Sequence, residues 1–171
     1  MYILGIESSC DETAASVIKF NIETNKIDVL SNIISSQIEI HKKYGGVVPE
    51  IAAREHVLNI LPVINEALKT AKLTKKNIDA FGVTKGPGLI TSLITGVETV
   101  RTLAFAWDKP IYEINHIEGH IYSNFISPES AISFPDVNLT LSVGPTILLT
   151  MNTTGKIKII GETTDDAAGE A

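Results

Sequence analysis

The hydrophobic pattern of the first forty residues predicts three consecutive β-strands. The apolar runs are rich in valine and isoleucine, and polar, turn-forming segments separate them. These runs are YILGIE, AASVIKF and KIDVLSNIISSQ. Their order predicts an antiparallel meander. The loop HKKYGGVVPE follows, marked by paired glycines and a proline.

The pattern then changes to the period of amphipathic helices. A first helix is predicted from Pro49 to about Ala71, with a kink at Pro62. Its predicted buried face consists of Ile51, Leu58, Leu61, Ile64, Leu68 and Ala71. A second helix is predicted from Thr91 to Trp107. Its predicted buried face consists of Leu93, Ile94, Val97, Val100, Ala104 and Trp107.

Short strands flank the second helix, and the strand pattern then begins a second time. One strand is predicted in IDAFGVTKGPG, which ends in a Gly-Pro-Gly turn, and another in PIYEIN. A third helix is predicted from His116 to about Phe125. The order is therefore βββαβαβα, followed by the linker SPESAISFPD. Three further strands and the start of a helix are predicted at VNLTLSV, TILLTM, KIKIIGET and DDAAGEA. We predict an α/β protein with a first domain over residues 1–132 and the beginning of a second over residues 133–171.

The amino-acid composition favours a globular protein and argues against several other classes. Of the 171 residues, 44% are hydrophobic and 20% are charged, which predicts a globular core. The net charge of −6 argues against a dedicated nucleic-acid binder, so any RNA substrate would need a grip supplied by another protein. There is no apolar run of about 18 residues and no basic leader, so neither a membrane span nor a signal peptide is predicted. The single cysteine, Cys10, excludes an internal disulfide and fits a reducing cytoplasm.

The turn after the first strand, SSCDET, is the first candidate for chemistry. Its backbone amides and small side chains could hold a phosphate. Its acids, Asp11 and Glu12, could bind Mg²⁺ or orient a nucleophile. A polar hairpin turn without any function has the same composition, so both readings stay open.

Gly86-Pro87-Gly88 is the second candidate, because it joins a predicted strand to a predicted helix. Helix N-termini attract anions, so this turn could cradle a phosphate. It lacks the spacing of the known dinucleotide and P-loop motifs, and a rigid turn is the simpler interpretation. Lys85 could reach a phosphate or point into solvent.

The segment HIEGH places His116 and His120 four residues apart, on one face of a predicted helix. Two imidazoles at this spacing can share a metal, but a site needs at least a third ligand. Glu118 lies at the wrong spacing for a zincin general base. A helix with two half-buried histidines is the alternative. His41 and His56 are isolated and are interpreted as surface or packing histidines.

Taken together, five segments resemble one family. They are LGIESSCDETAAS, KYGGVVPEIAAREHV, GVTKGPGL, NHIEGHIYSNF and GETTDDAAGEA. They resemble consecutive blocks of the TsaD (also called Gcp) family, the tRNA N6-adenosine threonylcarbamoyltransferases, formerly described as O-sialoglycoprotein endopeptidases. The resemblance implies the actin-like ATPase fold (ASKHA, ribonuclease H-like), with the first domain and the opening strands of the second present here.

The resemblance also implies site residues. His116 and His120 match the family's metal ligands, for iron most often or zinc, and a late aspartate of the family completes that set. Asp11 and Glu12 match residues for catalysis or phosphate contact. Candidate substrate-binding residues are Ser9, Lys85, Thr140, Leu141, Ser142, Val143 and Gly144.

The implied reaction transfers threonylcarbamoyl from its adenylate to N6 of an adenosine in tRNA. The implied ligands are a divalent metal and an adenylate nucleotide, threonylcarbamoyl-AMP or ATP. The implied partners are tRNA, a TsaB-like paralogue and a TsaE-like ATPase in one complex, with dimerisation through the N-terminal domain. A cytoplasmic location without membrane contact is expected.

Two departures from the family change the expectation for this chain. The family's SGGHT turn appears as SVGPT, where Val143 replaces a glycine and Pro145 replaces a histidine, which removes an N–H donor. The sequence also stops before the family's later nucleotide and metal contacts. We therefore expect the isolated 171 residues to be inactive. The alternative is a non-catalytic binding or dimerisation module, while the spacing of Glu118 weakens a metalloendopeptidase role.

Overall fold

Strands with alternating burial and helices with one buried face form two separate units. The computed structural model describes residues 1–126, 134–141, 146–153 and 155–163. The strands are β1 (Tyr2–Glu7), β2 (Glu12–Asn21), β3 (Lys26–Ser36), β4 (Ala80–Gly86), β5 (Ile111–Asn115), β6 (Asp136–Thr140), β7 (Ile147–Thr153) and β8 (Lys156–Glu162). The helices are α1 (Ile38–His41), α2 (Pro49–Thr70), α3 (Ile90–Trp107) and α4 (His116–Ser123). Single 3-10 turns lie at Lys42–Tyr44 and Lys75–Asn77.

The first unit, Met1–His116, contains a five-stranded sheet of order β3-β2-β1-β4-β5. The first three strands are antiparallel, which confirms the predicted meander. In contrast, β1, β4 and β5 run parallel to one another. Parallel neighbours need crossover connections, which α2 and α3 provide. The carboxyl ends of β1, β4 and β5 therefore meet at one edge of the sheet.

The core of this unit lies between the sheet and the helices α2 and α3. Leu4 and Phe81 are fully buried, and the rings of Phe81 and Trp107 pack with their centroids 5.2 Å apart. Helix α3 buries Val100 and Ala104 as predicted, whereas Ile94 is exposed. Helix α2 continues through Pro62 as one element, and the predicted kink stays a prediction.

The predicted buried face of α2 was partly wrong. Ile64 and Leu68 are buried, but Leu58 and Leu61 are 67% and 52% exposed. The residues that α2 buries are Ala52, His56, Ile60, Val63, Ile64, Ala67 and Leu68. This side combines two alanines, which let the helix approach β2 and β3 closely, with four large aliphatic residues that fill the core.

The second unit, Ile117–Ala171, contains a smaller sheet of order β6-β7-β8. Both strand pairs are antiparallel, so the predicted second meander is confirmed for the described residues. Ile121 of α4 packs with Leu149 and Met151 in a separate core. The predicted boundary after residue 132 and the predicted helix start at DDAAGEA lie outside the described residues. Among the described helices, none has the length and apolar character needed to cross a membrane.

Candidate functional site

Three segments that the sequence singled out meet at the carboxyl edge of the first sheet. The SSCDET turn follows β1, the Gly-Pro-Gly turn follows β4, and His116 follows β5. Open α/β sheets bind ligands at this edge because loops from neighbouring parallel strands converge there. The sheet order therefore assembles a candidate site from segments that are far apart in sequence.

The turn between β1 and β2 has a buried backbone side and an accessible acidic side. Ser8 and Ser9 are buried, and the Ser8 hydroxyl donates a hydrogen bond of 2.9 Å to the carbonyl of Ser92 in α3. Asp11 is half-buried and Glu12 is exposed. Both predicted catalytic carboxylates are thus open to a ligand on a turn that is fixed from behind.

The Gly-Pro-Gly turn packs directly against this first turn. The amide of Leu89 donates a hydrogen bond of 2.7 Å to the Ser9 carbonyl. A Cβ atom placed on Gly88 would lie only 2.5 Å from the same carbonyl oxygen, so glycine is needed for this approach. The two predicted phosphate-holding turns are therefore neighbours in space.

His116 contacts the end of β1 through its Nδ1 atom. The Oγ atom of Ser9 lies 3.2 Å from Nδ1, and the Oε2 atom of Glu7 lies 3.5 Å from it. The other carboxylate oxygen of Glu7 accepts a hydrogen bond of 2.5 Å from the Ser9 amide. Glu7, Ser9 and His116 thus form one polar cluster at the sheet edge.

The charges in this cluster stabilise each other. Burial opposes ionisation of Glu7, but hydrogen bonds from His116, Ser9 and Thr84 outweigh it and lower the pKa of Glu7 to about 2. The hydrogen bond to Glu7 raises the pKa of His116, against the opposing effect of burial. Glu7 was not among the predicted site residues. Its position at the end of the first parallel strand is the signal that could have identified it.

Cys10 is exposed but is not an activated thiol. Desolvation is the main cause that raises its pKa to about 11, and the neighbouring carboxylates of Asp11 and Glu12 add to the effect. A thiol with a raised pKa carries little thiolate at neutral pH and is a poor nucleophile. This property argues against covalent catalysis by Cys10.

Lys85 contacts a carboxylate on the adjacent strand. Its Nζ atom lies 2.8 Å from Oε2 of Glu113, and both side chains are exposed. The hydrogen bond and the charge of Lys85 lower the pKa of Glu113. The predicted contact of Lys85 with a phosphate stays a prediction.

HIEGH begins α4, as predicted, so His116 and His120 lie four residues apart in one helix. His120 also lines a cavity of about 190 Å³ in the second unit, and this cavity includes two of the predicted substrate residues. Its lining residues are His120, Ile121, Asn124, Asn138, Leu139, Thr140 and Leu141. Ser142, Val143 and Gly144 lie outside the described residues. Within the described part of the chain, no group of three or more His, Cys, Asp or Glu side chains could hold a metal ion.

Of the two interpretations of His41 and His56, surface or packing, the structure confirms packing, because both are buried and hydrogen-bonded. His41 bonds to the Gln37 side chain and to the Val48 amide, at 3.0 and 3.2 Å. Both nitrogens of His56 bond to the N-terminal turn. His56 lies on the buried face of α2, one turn from Ala52 and from Ile60, and it was missed because the predicted face included Leu58 and Leu61 instead.

Comparison with known sequences identifies a family. The family model described as TsaD, tRNA N6-adenosine threonylcarbamoyltransferase, matches residues 28–171. A protein of that name from Bacillus subtilis is 50% identical over 171 residues, which is all of this chain and 47% of the relative. One from Clostridium kluyveri is 52% identical over 169 residues, covering 99% of this chain and 48% of the relative. The chain thus spans about half the length of these curated relatives.

Comparison with solved structures establishes the fold. YeaZ from Pseudomonas aeruginosa is 16% identical, with a TM-score of 0.57 over 95% of this chain and 66% of that protein. The Aquifex aeolicus member of the Ppx/GppA family is 11% identical, with a TM-score of 0.50 over 95% of this chain and 50% of that one. At this level of identity the likeness concerns the fold alone, and it confirms the expected actin-like ATPase (ASKHA, ribonuclease H-like) fold.

Proposed function

The chain belongs to the TsaD family of tRNA N6-adenosine threonylcarbamoyltransferases, and we propose that it forms the N-terminal part of an enzyme of that activity. The proposed reaction transfers the threonylcarbamoyl group from its adenylate to N6 of an adenosine in tRNA. The observation that carries the proposal is the convergence of the acidic turn, the Gly-Pro-Gly turn and His116 at one sheet edge. Because the chain spans about half of its relatives, we expect no transfer by these residues alone.

In the proposed site, His116 and His120 contribute two ligands to a divalent metal. Their spacing places both imidazoles on one face of α4, and imidazole suits iron or zinc. Two histidines supply only part of the coordination shell of such a metal. The remaining coordination positions would be filled by other ligands. When bound, the metal would act as a Lewis acid that orients the adenylate and stabilises developing negative charge.

Glu7 and Ser9 hold the first of these histidines in place. Their contacts to Nδ1 direct the opposite ring nitrogen, Nε2, away from β1. A carboxylate at the second nitrogen of a ligating histidine fixes its orientation and raises its basicity. The lowered pKa of Glu7 keeps this carboxylate ionised at neutral pH.

Asp11 and Glu12 are proposed to act on the substrates. The N6 amine forms a new bond to the carbonyl carbon, the bond from that carbon to the phosphate oxygen breaks, and AMP leaves. The amine must lose a proton in this step, and an accessible carboxylate can take it. Glu12 is the exposed member of the pair and is assigned this role. Asp11 is assigned to the phosphate or cation contact, and the GPG turn lies beside it to hold the adenylate phosphate.

We also propose residues that bind the adenylate substrate. The assigned adenylate contacts, for threonylcarbamoyl-AMP or ATP, are Ser9, Lys85, Thr140, Leu141, Ser142, Val143 and Gly144. A chain with a net charge of −6 needs help to grip tRNA, which a TsaB-like paralogue and a TsaE-like ATPase would supply within one complex. We place the proposed transfer reaction in the cytoplasm.

Two measurements test this proposal. Iron or zinc titrated into the 171-residue chain should bind weakly, and His116→Asn or His120→Asn should abolish that binding. In the complete protein that contains this sequence, assayed with its partners, Glu12→Gln should reduce transfer at least about 100-fold. Glu98→Gln is the matched control, because Glu98 is an exposed carboxylate on α3 whose Oε1 atom lies 2.7 Å from the guanidinium group of Arg101. Full transfer by Glu12→Gln would remove Glu12 from the mechanism.

A second candidate function is a non-catalytic dimerisation module. The exposed sides of the packed helices α2 and α3 carry large apolar residues, which we call the α2–α3 apolar surface. It consists of Val57, Leu58, Leu61, Ile90 and Ile94. Large apolar residues exposed on neighbouring helices are candidates for a protein interface. The occupant that fits is a chain of the same fold, as the likeness to YeaZ suggests for a TsaB-like paralogue.

Sedimentation of the chain with such a paralogue tests the second candidate. The double variant Leu58→Glu, Leu61→Glu should lose the complex, because two charges would be buried without partners. Ile22→Glu is the control, since Ile22 is 69% exposed in the turn between β2 and β3, away from this surface. An intact complex with the double variant would exclude this surface as the interface.

A further inference from the structure

His56 connects α2 to the N-terminal turn through both nitrogens of its ring. Its Nδ1 atom lies 2.8 Å from Oγ1 of Thr13, and its Nε2 atom lies 3.0 Å from the carbonyl oxygen of Cys10. Both His56 and Thr13 are fully buried. A buried imidazole with two such partners is held in one orientation.

The chemistry of the partners fixes which nitrogen carries the proton. The carbonyl of Cys10 can only accept a hydrogen bond, so Nε2 of His56 must donate. In the neutral ring, Nδ1 then accepts from the hydroxyl of Thr13. A neutral His56 that makes both bonds is therefore the Nε2–H tautomer.

Two more contacts hold the same stretch of backbone. The hydroxyl of Ser92 in α3 donates a bond of 3.3 Å to the Cys10 carbonyl. The amide of Gln37, just before α1, donates a bond of 3.0 Å to the Asp11 carbonyl. Side chains of α2 and α3 and the amide of Gln37 thus bind the backbone of residues 10 and 11, while the Asp11 and Glu12 side chains stay accessible.

We propose that His56 is a positioning residue that holds the turn carrying Asp11 and Glu12 in its reactive geometry. This inference rests on the proposed function of those two carboxylates. Replacing His56 by an apolar residue would leave the Cys10 carbonyl and the Thr13 hydroxyl without their buried partner. The turn would then open to recover those bonds with water, and a small displacement of a catalytic group is costly to the rate.

The first test measures the tautomer in the unmodified 171-residue chain. Nitrogen-15 NMR of the His56 ring distinguishes a protonated Nε2 from a protonated Nδ1. We expect the Nε2–H form at neutral pH. The Nδ1–H tautomer would overturn the proposal, because that ring could not donate to the Cys10 carbonyl.

The second test measures hydrogen exchange of the amides of residues 11–13. Thr13→Val removes only the hydroxyl partner of His56, and His56→Leu removes both bonds. Each should raise exchange in the turn at least about tenfold. Ser31→Ala is the matched control, because it deletes a buried hydroxyl that accepts from the Val17 amide in the middle of the sheet. Unchanged exchange in a folded Thr13→Val variant would overturn the proposal.

The third test uses transfer by the complete protein with its partners. Thr13→Val should lower kcat at least about tenfold and change KM for the adenylate less than twofold, and Thr13→Ser should restore kcat. A kcat of Thr13→Val equal to that of the unmodified enzyme would overturn the positioning role. If the complete protein shows no transfer, the proposed function fails, and the tautomer and exchange measurements still decide whether His56 holds the turn. If Glu12→Gln leaves transfer intact, only the catalytic role of Glu12 fails.

Discussion

The Nδ1 atom of His116 lies 3.5 Å from the Oε2 atom of Glu7, although the two residues belong to opposite ends of the first unit. This contact joins the end of β1 to the start of α4. It exists because β1 and β5 are parallel and end at the same sheet edge. The proposed metal ligand is therefore coupled to the hairpin that carries the proposed catalytic acids.

Removing this carboxylate should change the ionisation of His116. In Glu7→Gln, the hydrogen-bonded negative charge that raises the pKa of His116 is lost, so that pKa should fall. NMR titration of the His116 ring protons in the metal-free chain measures it. Glu98→Gln on the exposed side of α3 should leave the titration unchanged. An unchanged His116 pKa in Glu7→Gln would show that another group sets it.

Glu7 should also make the stability of the fold depend on acid pH. Its pKa is about 2 in the folded chain against a usual 4.5, so the ionised form stabilises the fold above pH 4.5. That contribution is lost as the pH falls from 4.5 towards 2. We expect it to amount to about 1–2 kcal/mol, reduced by solvent screening of a side chain that is 33% exposed.

Urea unfolding of the wild type and of Glu7→Gln between pH 2 and pH 6 measures this dependence. The difference in free energy of unfolding should shrink as the pH falls from 4.5 towards 2, and the range is kept below the pH at which His116, whose pKa Glu7 raises, loses its proton. A difference that does not vary with pH would mean that Glu7 acts through packing and not through its charge.

Cys10 should react slowly with alkylating reagents in the folded chain. Its pKa of about 11 lowers the thiolate fraction at pH 7.5, and the greater nucleophilicity of a more basic thiolate offsets this loss in part. We expect alkylation by iodoacetamide to be about tenfold slower than in the urea-unfolded chain. Asp11→Asn should speed the reaction, because it removes one carboxylate that raises this pKa. As the only cysteine, Cys10 gives an unambiguous signal.

Gly88→Ala should destabilise the first unit. The added methyl group would lie 2.5 Å from the Ser9 carbonyl oxygen, and relieving that overlap should cost about 1–3 kcal/mol in free energy of unfolding. Gly46→Ala is the control, because a Cβ there meets no atom within 4 Å, and its effect should stay within about 0.5 kcal/mol. Equal stability of the two variants in urea would contradict the close packing of the two turns.

The sequence by itself determined the main elements and their order, although it did not predict the short helix α1 or the two 3-10 turns. Two meanders, two amphipathic helices and the HIEGH helix followed from local periodicity and turn residues, because these patterns depend on neighbours a few positions apart. The family resemblance was also readable, because its blocks are continuous in the chain. The sequence also singled out Asp11 and Glu12 as candidate acids, whereas their accessibility is a result of the structure.

Only the tertiary structure decided which residues work together. Helical periodicity describes a stripe of apolar residues but not the partner surface, so it could not show that the sheet selects the side of α2 that contains Ala52 and His56. Nor could it bring Ser9 to within 3.2 Å of His116, across 107 positions of sequence. Such contacts depend on the strand order, which inserts β4 between β1 and β5, and that order is a property of the assembled sheet.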